Sequence, residues 1–112
     1  MKLFAIVKDK NPDILEKMIA VKGDVGALGL GLTSEMLGQL KDVSVVFHSA
    51  ASVRFDDLLK SAIILNTRGT HEVIKFALTL SSLASFVHVS TTYCYPDERF
   101  IDEKVNKMNG KE

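Results

Sequence analysis

Val43-Ser44-Val45-Val46-Phe47-His48 and Phe86-Val87-His88-Val89-Ser90, with one long helical run between them, decide how this chain folds. Both stretches are nearly continuous in apolar character and rich in β-branched and aromatic residues. That is the pattern of strands buried on both faces of a parallel sheet. Between them, from Asp56 to about Leu80, Leu58, Leu59, Ala62, Ile63, Leu65, Val73, Ile74, Ala77 and Leu78 recur at helical spacing. Asn66, Thr67 and Gly69 are weak positions in the middle of this helix, and Ser81-Ser82 ends it. Strand, helix and strand make a βαβ unit over residues 43–90, with a right-handed crossover expected.

Working outward, Asn11-Pro12-Asp13 carries a helix-start signal: Asn as N-cap, Pro at the first helical position and an acid in the first turn. That helix is short and ends near Lys17-Met18. Ile19 to Asp24 reads as a short strand leading into a turn. Gly26-Ala27-Leu28-Gly29-Leu30-Gly31-Leu32 has no charge and three glycines, and reads as a flexible loop. Thr33 or Ser34 then caps a helix with Glu35 in its first turn, running to about Leu40. From Asp97 to Glu112 charged residues dominate, so this tail is assigned no core. The class is α/β with a parallel sheet and crossover helices.

Composition narrows the function. The chain has 112 residues, 46% of them hydrophobic and 25% charged, which suits a folded chain and not a disordered one. Fourteen basic residues balance 14 acidic ones, so nothing favours nucleic acid or a polybasic membrane anchor. One cysteine, Cys94, excludes an internal disulfide and a Cys-rich zinc site. The apolar run Leu3 to Val7 is too short for a secretory signal. Phe76 to Pro96 lacks Asp, Glu, Lys and Arg, but its Ser and Thr residues and His88 make it a helix end, turn and strand and not a membrane span.

Gly26-x-x-Gly29-x-Gly31 invites a dinucleotide reading. The order differs from G-x-G-x-x-G, and the helix starts only after the glycines end. His48, His71 and His88 lie far apart in sequence and read as packed or surface histidines. No metal is expected.

Four segments, taken in order, carry more information: Gly23-Asp24-Val25, Val45-Val46-Phe47-His48-Ser49-Ala50-Ala51, Asn66-Thr67-Arg68-Gly69-Thr70, and Phe86-Val87-His88-Val89-Ser90-Thr91-Thr92-Tyr93. Together they resemble an extended short-chain dehydrogenase/reductase. Ala50-Ala51-Ser52-Val53-Arg54-Phe55-Asp56 and the loop Leu28-Gly29-Leu30-Gly31-Leu32 narrow the resemblance to the alcohol-forming fatty acyl-CoA reductases, especially those of insects. It extends from about Leu3 to Val105 and implies a Rossmann-type sheet.

The resemblance implies site roles. Asp24 accepts from the adenine amino group and Val25 lines the ring. Ala50 and Ala51 let the backbone approach the cofactor, flanked by Ser49 and Ser52. Asn66 sets local backbone and water structure. Thr91 or Ser90 hydrogen-bonds the substrate carbonyl, with Thr91 favoured by its spacing to Tyr95. Each has a plain structural reading beside it: a turn residue at Asp24, close packing at Ala50-Ala51, a helix cap or kink at Asn66, and a satisfied strand end at Ser90-Thr91. The implied cofactor is NADP(H), and the implied substrate is a long-chain fatty acyl-CoA reduced to a fatty alcohol. The implied setting is intracellular and membrane-associated, at the endoplasmic reticulum or peroxisome, with attachment made by other regions.

The catalytic Tyr-x-x-x-Lys of the superfamily is absent. Tyr93 and Tyr95 are followed four residues on by Asp97 and Arg99, and Pro96 disfavours a helical Tyr95. The glycine-rich first turn is absent as well. Residues 1–112 are therefore expected to be a partial NAD(P)-binding domain, inactive alone and marginally stable, with one strand edge left unpaired. The rivals are a segment of a sugar-nucleotide or steroid dehydrogenase of the same superfamily, and a truncated product that pairs with a partner or has no function.

Overall fold

The computed structural model describes residues 4–91, 93, 99, 100, 102 and 103. Its centre is the βαβ unit. Strand β1 (Val45–His48) and strand β2 (Ser85–His88) pair in parallel, with Val45 opposite Ser85 and His48 opposite His88. The ladder continues one residue past each end, through the Ser85 and Val89 amides bonded to the Ser44 and His48 carbonyls.

The connecting helix is one continuous run in three segments: α3 (Leu59–Ala62), a π-helical stretch (Ile63–Arg68) and α4 (Gly69–Leu78). The widened turns fall on the weak positions Asn66 and Thr67. There the Gly69 amide reaches back five residues to the Ile64 carbonyl, and the Thr70 hydroxyl donates to the Asn66 carbonyl at 2.7 Å. A Thr side chain that bonds the carbonyl four residues back is a known source of helix distortion.

The core is small. The buried residues are Ala77, Leu80, Gly69 and Glu72 of the long helix and its C-terminal end, with His48 on β1; Gly69 and Glu72 are covered by the Val25 turn and the glycine loop. The sheet face turned from the helix is bare: Phe47 is 71% exposed and Val45 44%. The expectation of strands buried on both faces is thus corrected to burial on one. Period-two geometry sends Val46 and His48 toward the helix and Val45 and Phe47 away from it.

The segment before the βαβ unit departs further from expectation. Helix α1 (Ala5–Lys10) leads to a 3₁₀ turn (Pro12–Lys17), with Asn11 ahead of it and Pro12 at its start, although the Asn11 side chain makes no capping bond. Residues 18–24 form no strand. Their expected β character goes unrealised because no neighbouring strand among the described residues offers them a ladder. Helix α2 (Ser34–Leu40) begins as expected, with Thr33 Oγ1 accepting from the Met36 amide at 3.3 Å. The assignments made for Tyr95, Pro96 and most of the charged stretch 97–112 lie outside the described residues.

Gly69 is where the long helix meets the first segment. A Cβ there would stand 2.8 Å from Val25 Cγ2 and 2.9 Å from the Val25 carbonyl. In an open helix Gly→Ala gains about 1 kcal/mol. Here the clash reverses the sign, and Gly69→Ala should destabilise by about 1–3 kcal/mol, as overpacking does. A drop in the thermal midpoint followed by circular dichroism checks this; an unchanged or higher midpoint would contradict the packing.

Candidate functional site

Parallel pairing sends both strands out at the same edge. Ser49, Ala50 and Ala51 leave β1 there, and Ser90 and Thr91 follow β2, all of them exposed. The carboxyl ends of parallel strands are where ligands bind in open α/β sheets.

The Asp24 turn is built from its own side chain. Asp24 Oδ1 accepts from the Gly26 amide at 2.8 Å, the local bond that suits Asp to turns. The Asp24 amide donates to the Leu30 carbonyl at 2.8 Å, and its carbonyl accepts from Ala27 at 3.0 Å. Arg68 reaches across to donate to the Gly26 carbonyl, and Val25 rests on Gly69. Asp24 is therefore a turn residue, and one that stays exposed. Among the described residues its Oδ2 accepts no hydrogen bond, so that oxygen can serve an incoming donor.

Asn66 grips the other loop. Its Oδ1 accepts from the Ser52 amide at 2.8 Å, and its Nδ2 donates to the Ser52 carbonyl at 3.1 Å. Ser52 Oγ in turn donates to Asp57, and Arg54 bonds Asp56 at 3.1 Å. This Arg54 contact holds the exposed Asp56 carboxyl below the usual carboxylate range. The widened turns of the long helix thus touch the Asp24 turn through Arg68 and Gly69, and the loop after β1 through Asn66. Beyond β2, Thr91 Oγ1 accepts from the Tyr93 amide at 3.2 Å. The Tyr93 ring meets Phe55 edge to face at 5.9 Å, tying the two strand-end segments together. The Ser90 hydroxyl makes no hydrogen bond among the described residues.

His48 belongs to the scaffold of this edge. Thr70 has one hydroxyl proton and gives it to Asn66, so His48 Nε2 is the donor in its 2.9 Å contact with Thr70 Oγ1. Its ring stacks on His88 with centroids 5.1 Å apart. Burial, helped by the neighbouring His88, pushes the His48 pKa down. Among the described residues no three His, Cys, Asp or Glu side chains gather as a metal site.

The residue that sequence reasoning missed is Glu72. It is 4% exposed. Its Oε2 accepts from the Gly29 amide at 2.7 Å and its Oε1 from Lys75 Nζ at 3.1 Å. The Gly29 amide and then Lys75 pull its pKa down. A signal was present: Leu65, Gly69, Glu72, Val73 and Phe76 share one helical stripe, with a single carboxylate on it. The glycine loop is therefore pinned in place, and the amide that a phosphate would seek at Gly29 is already occupied by a carboxylate.

A parallel strand–helix–strand unit with the loops after both strands leaving at its carboxyl edge defines a Rossmann-type nucleotide-binding class. Comparison with known proteins agrees. The family model described as "Male sterility protein", an NAD-binding family, matches residues 2–112, and the chain belongs to that family. Among curated relatives, the fatty acyl-CoA reductase wat of Drosophila melanogaster is 40% identical over 103 residues, covering 91% of this chain and 20% of the relative. Human fatty acyl-CoA reductase 1 is 39% identical over 105 residues and human fatty acyl-CoA reductase 2 is 34% identical, each alignment covering 93% of this chain. The chain spans about a fifth of the length of these relatives.

A buried neutral histidine makes stability depend on pH. The folded pKa of His48 lies below its ordinary 6.5, so the unfolded chain takes up a proton first as pH falls. Stability is full above 6.5 and is lost from there down toward the folded value. Glu72 acts in the same direction in a lower window, below its ordinary 4.5. The thermal midpoint should therefore fall between about pH 7.5 and about pH 5.5, and His48→Gln, which keeps a donor for Thr70, should flatten that slope. An equal slope in the variant would assign the effect elsewhere.

Proposed function

We propose that these residues form the cofactor-bordering and carbonyl-polarising part of an NADPH-dependent, alcohol-forming fatty acyl-CoA reductase. The observations that carry this reading are the single carboxyl edge at which Ser49-Ala50-Ala51 and Ser90-Thr91 leave the two strands, and the one helix that holds both the loop after β1, through Asn66, and the Asp24 turn, through Arg68 and Gly69. Names borne by similar proteins, fatty acyl-CoA reductase in fly and human, support it. In this reading residues 1–112 are part of an NAD(P)-binding domain, with the glycine-rich turn and the Tyr-x-x-x-Lys pair contributed from outside them. The enzyme works inside the cell against the endoplasmic reticulum or peroxisome, held there by other regions. Among the described residues no helix is long and apolar enough to cross a membrane.

The residues present fit a nicotinamide dinucleotide. Asp24 offers an exposed carboxylate oxygen to the exocyclic amine of an adenine, and Val25 offers apolar surface to the ring. Ser49, Ala50 and Ala51 present backbone behind small side chains, so a flat ligand can approach closely. When bound, the cofactor supplies hydride, twice for each acyl-CoA carried through to the alcohol. In this reading Thr91 or Ser90 donates a hydroxyl hydrogen bond to the substrate carbonyl oxygen and stabilises the negative charge that grows there as hydride arrives. Asn66 keeps the loop after β1 in register with the long helix, so the backbone of Ala50 and Ala51 holds one position.

The protein expressed from its complete transcript should convert palmitoyl-CoA to hexadecanol with NADPH, and more slowly with NADH. Thr91→Val with Ser90→Ala should lower kcat about a hundredfold or more, the size of a lost oxyanion donor. The 112-residue chain alone should give no turnover, because no Tyr is followed four residues on by Lys. Alcohol formation by the short chain, or full activity in the double variant, would overturn the assignment.

A further inference from the structure

We propose that Glu72 is a positioning residue that sets the shape of the Asp24-Val25 turn by holding the glycine loop from the helix face that packs on it. This rests on the reading of that turn as cofactor-bordering. Residues 24–32 form a closed loop. The Asp24 amide is bonded to the Leu30 carbonyl at its neck, and the Leu30 and Leu32 amides are bonded to the Ala27 and Gly29 carbonyls within it. The returning limb of the loop is strained. Gly29, Leu30 and Gly31 all have φ near +60°, and Leu30 is a branched residue at 59°. A left-handed conformation at such a residue costs about 1–2 kcal/mol and persists only where the surroundings enforce it.

The enforcing contact is Glu72. Its buried carboxylate takes the Gly29 amide at 2.7 Å across 43 residues of sequence. Lys75 Nζ at 3.1 Å and His71 Nδ1 at 3.9 Å are the titratable groups beside it on its own helix. No side chain of the loop could replace the bond, since residues 26–32 contain only Gly, Ala and Leu. Fixing Gly29 fixes Leu30, and the Leu30 carbonyl fixes the Asp24 amide. The geometry therefore transmits from Glu72 to the adenine side of the site without Glu72 touching the ligand.

The test uses the protein expressed from its complete transcript, as wild type, Glu72→Gln and Glu72→Ala. Gln keeps an acceptor for Gly29 and removes the charge; Ala removes both. Glu72→Ala should speed amide hydrogen exchange at Gly29 and Asp24 and raise KM for NADPH about tenfold, with kcat and KM for palmitoyl-CoA changed by about twofold or less. Glu72→Gln should restore most of the NADPH affinity. Unchanged exchange at Asp24 in Glu72→Ala, equal loss in both variants, or a loss that falls on kcat alone would overturn the proposal. A wild type that binds no nicotinamide nucleotide sinks the cofactor reading itself, while exchange at Asp24 still decides whether Glu72 sets the turn.

Discussion

The backbone of Val25 occupies the space that a side chain at residue 69 would need. That one close approach, glycine against a β-branched residue, lets the long helix lie directly on the Asp24 turn. Arg68 and Glu72, on either side of Gly69, then reach the Gly26 carbonyl and the Gly29 amide. A larger residue at 69 would lift the helix and pull both of these bonds out of range together. Among the described residues, 18–24 have no ladder, so the first segment depends on these contacts and on the packing of Gly26 beside Ile64 and Leu65.

A second set of contacts runs along the same helix to the strands. His48 donates to Thr70, Thr70 donates to Asn66, and Asn66 holds the amide and carbonyl of Ser52. The polar groups buried here are satisfied, and the chain of bonds leads from the end of β1 around to the loop that β1 feeds. The widening of the helix at Ile63–Arg68 belongs to this arrangement. It contains both Arg68, which reaches the Asp24 turn, and Asn66, which faces Ser52. A regular helix would turn these side chains through different angles, and one of the two loops would lose its anchor.

Much of this was legible in residue order. Apolar continuity marked both strands, period 3.6 marked the long helix, and Thr33 with Glu35 marked the start of α2. The wide turns fell where Asn66 and Thr67 had weakened the helix. Asp24 and Asn66 turned out to do what their chemistry suits, one making a turn with its own backbone and the other gripping a loop from the widened turns of the helix. The segment Ile19 to Asp24 misled because β propensity describes how a residue fits a sheet and cannot supply the neighbouring strand. The opposite faces of β1 misled for a related reason. An apolar run says that both faces can be covered, not that both are.

By itself the sequence determined the α/β class, the helix between two parallel strands, and the set of residues that emerge at the carboxyl edge. Those follow from local periodicity and from short motifs whose parts are close together in the chain. Only the tertiary structure decided that Glu72 is buried against Gly29, that Gly69 must be glycine, and that His48, Thr70, Asn66 and Ser52 form one connected path. Each of these joins groups from different segments of the chain, and such pairings depend on how the elements pack. Local sequence carries no term for that distance.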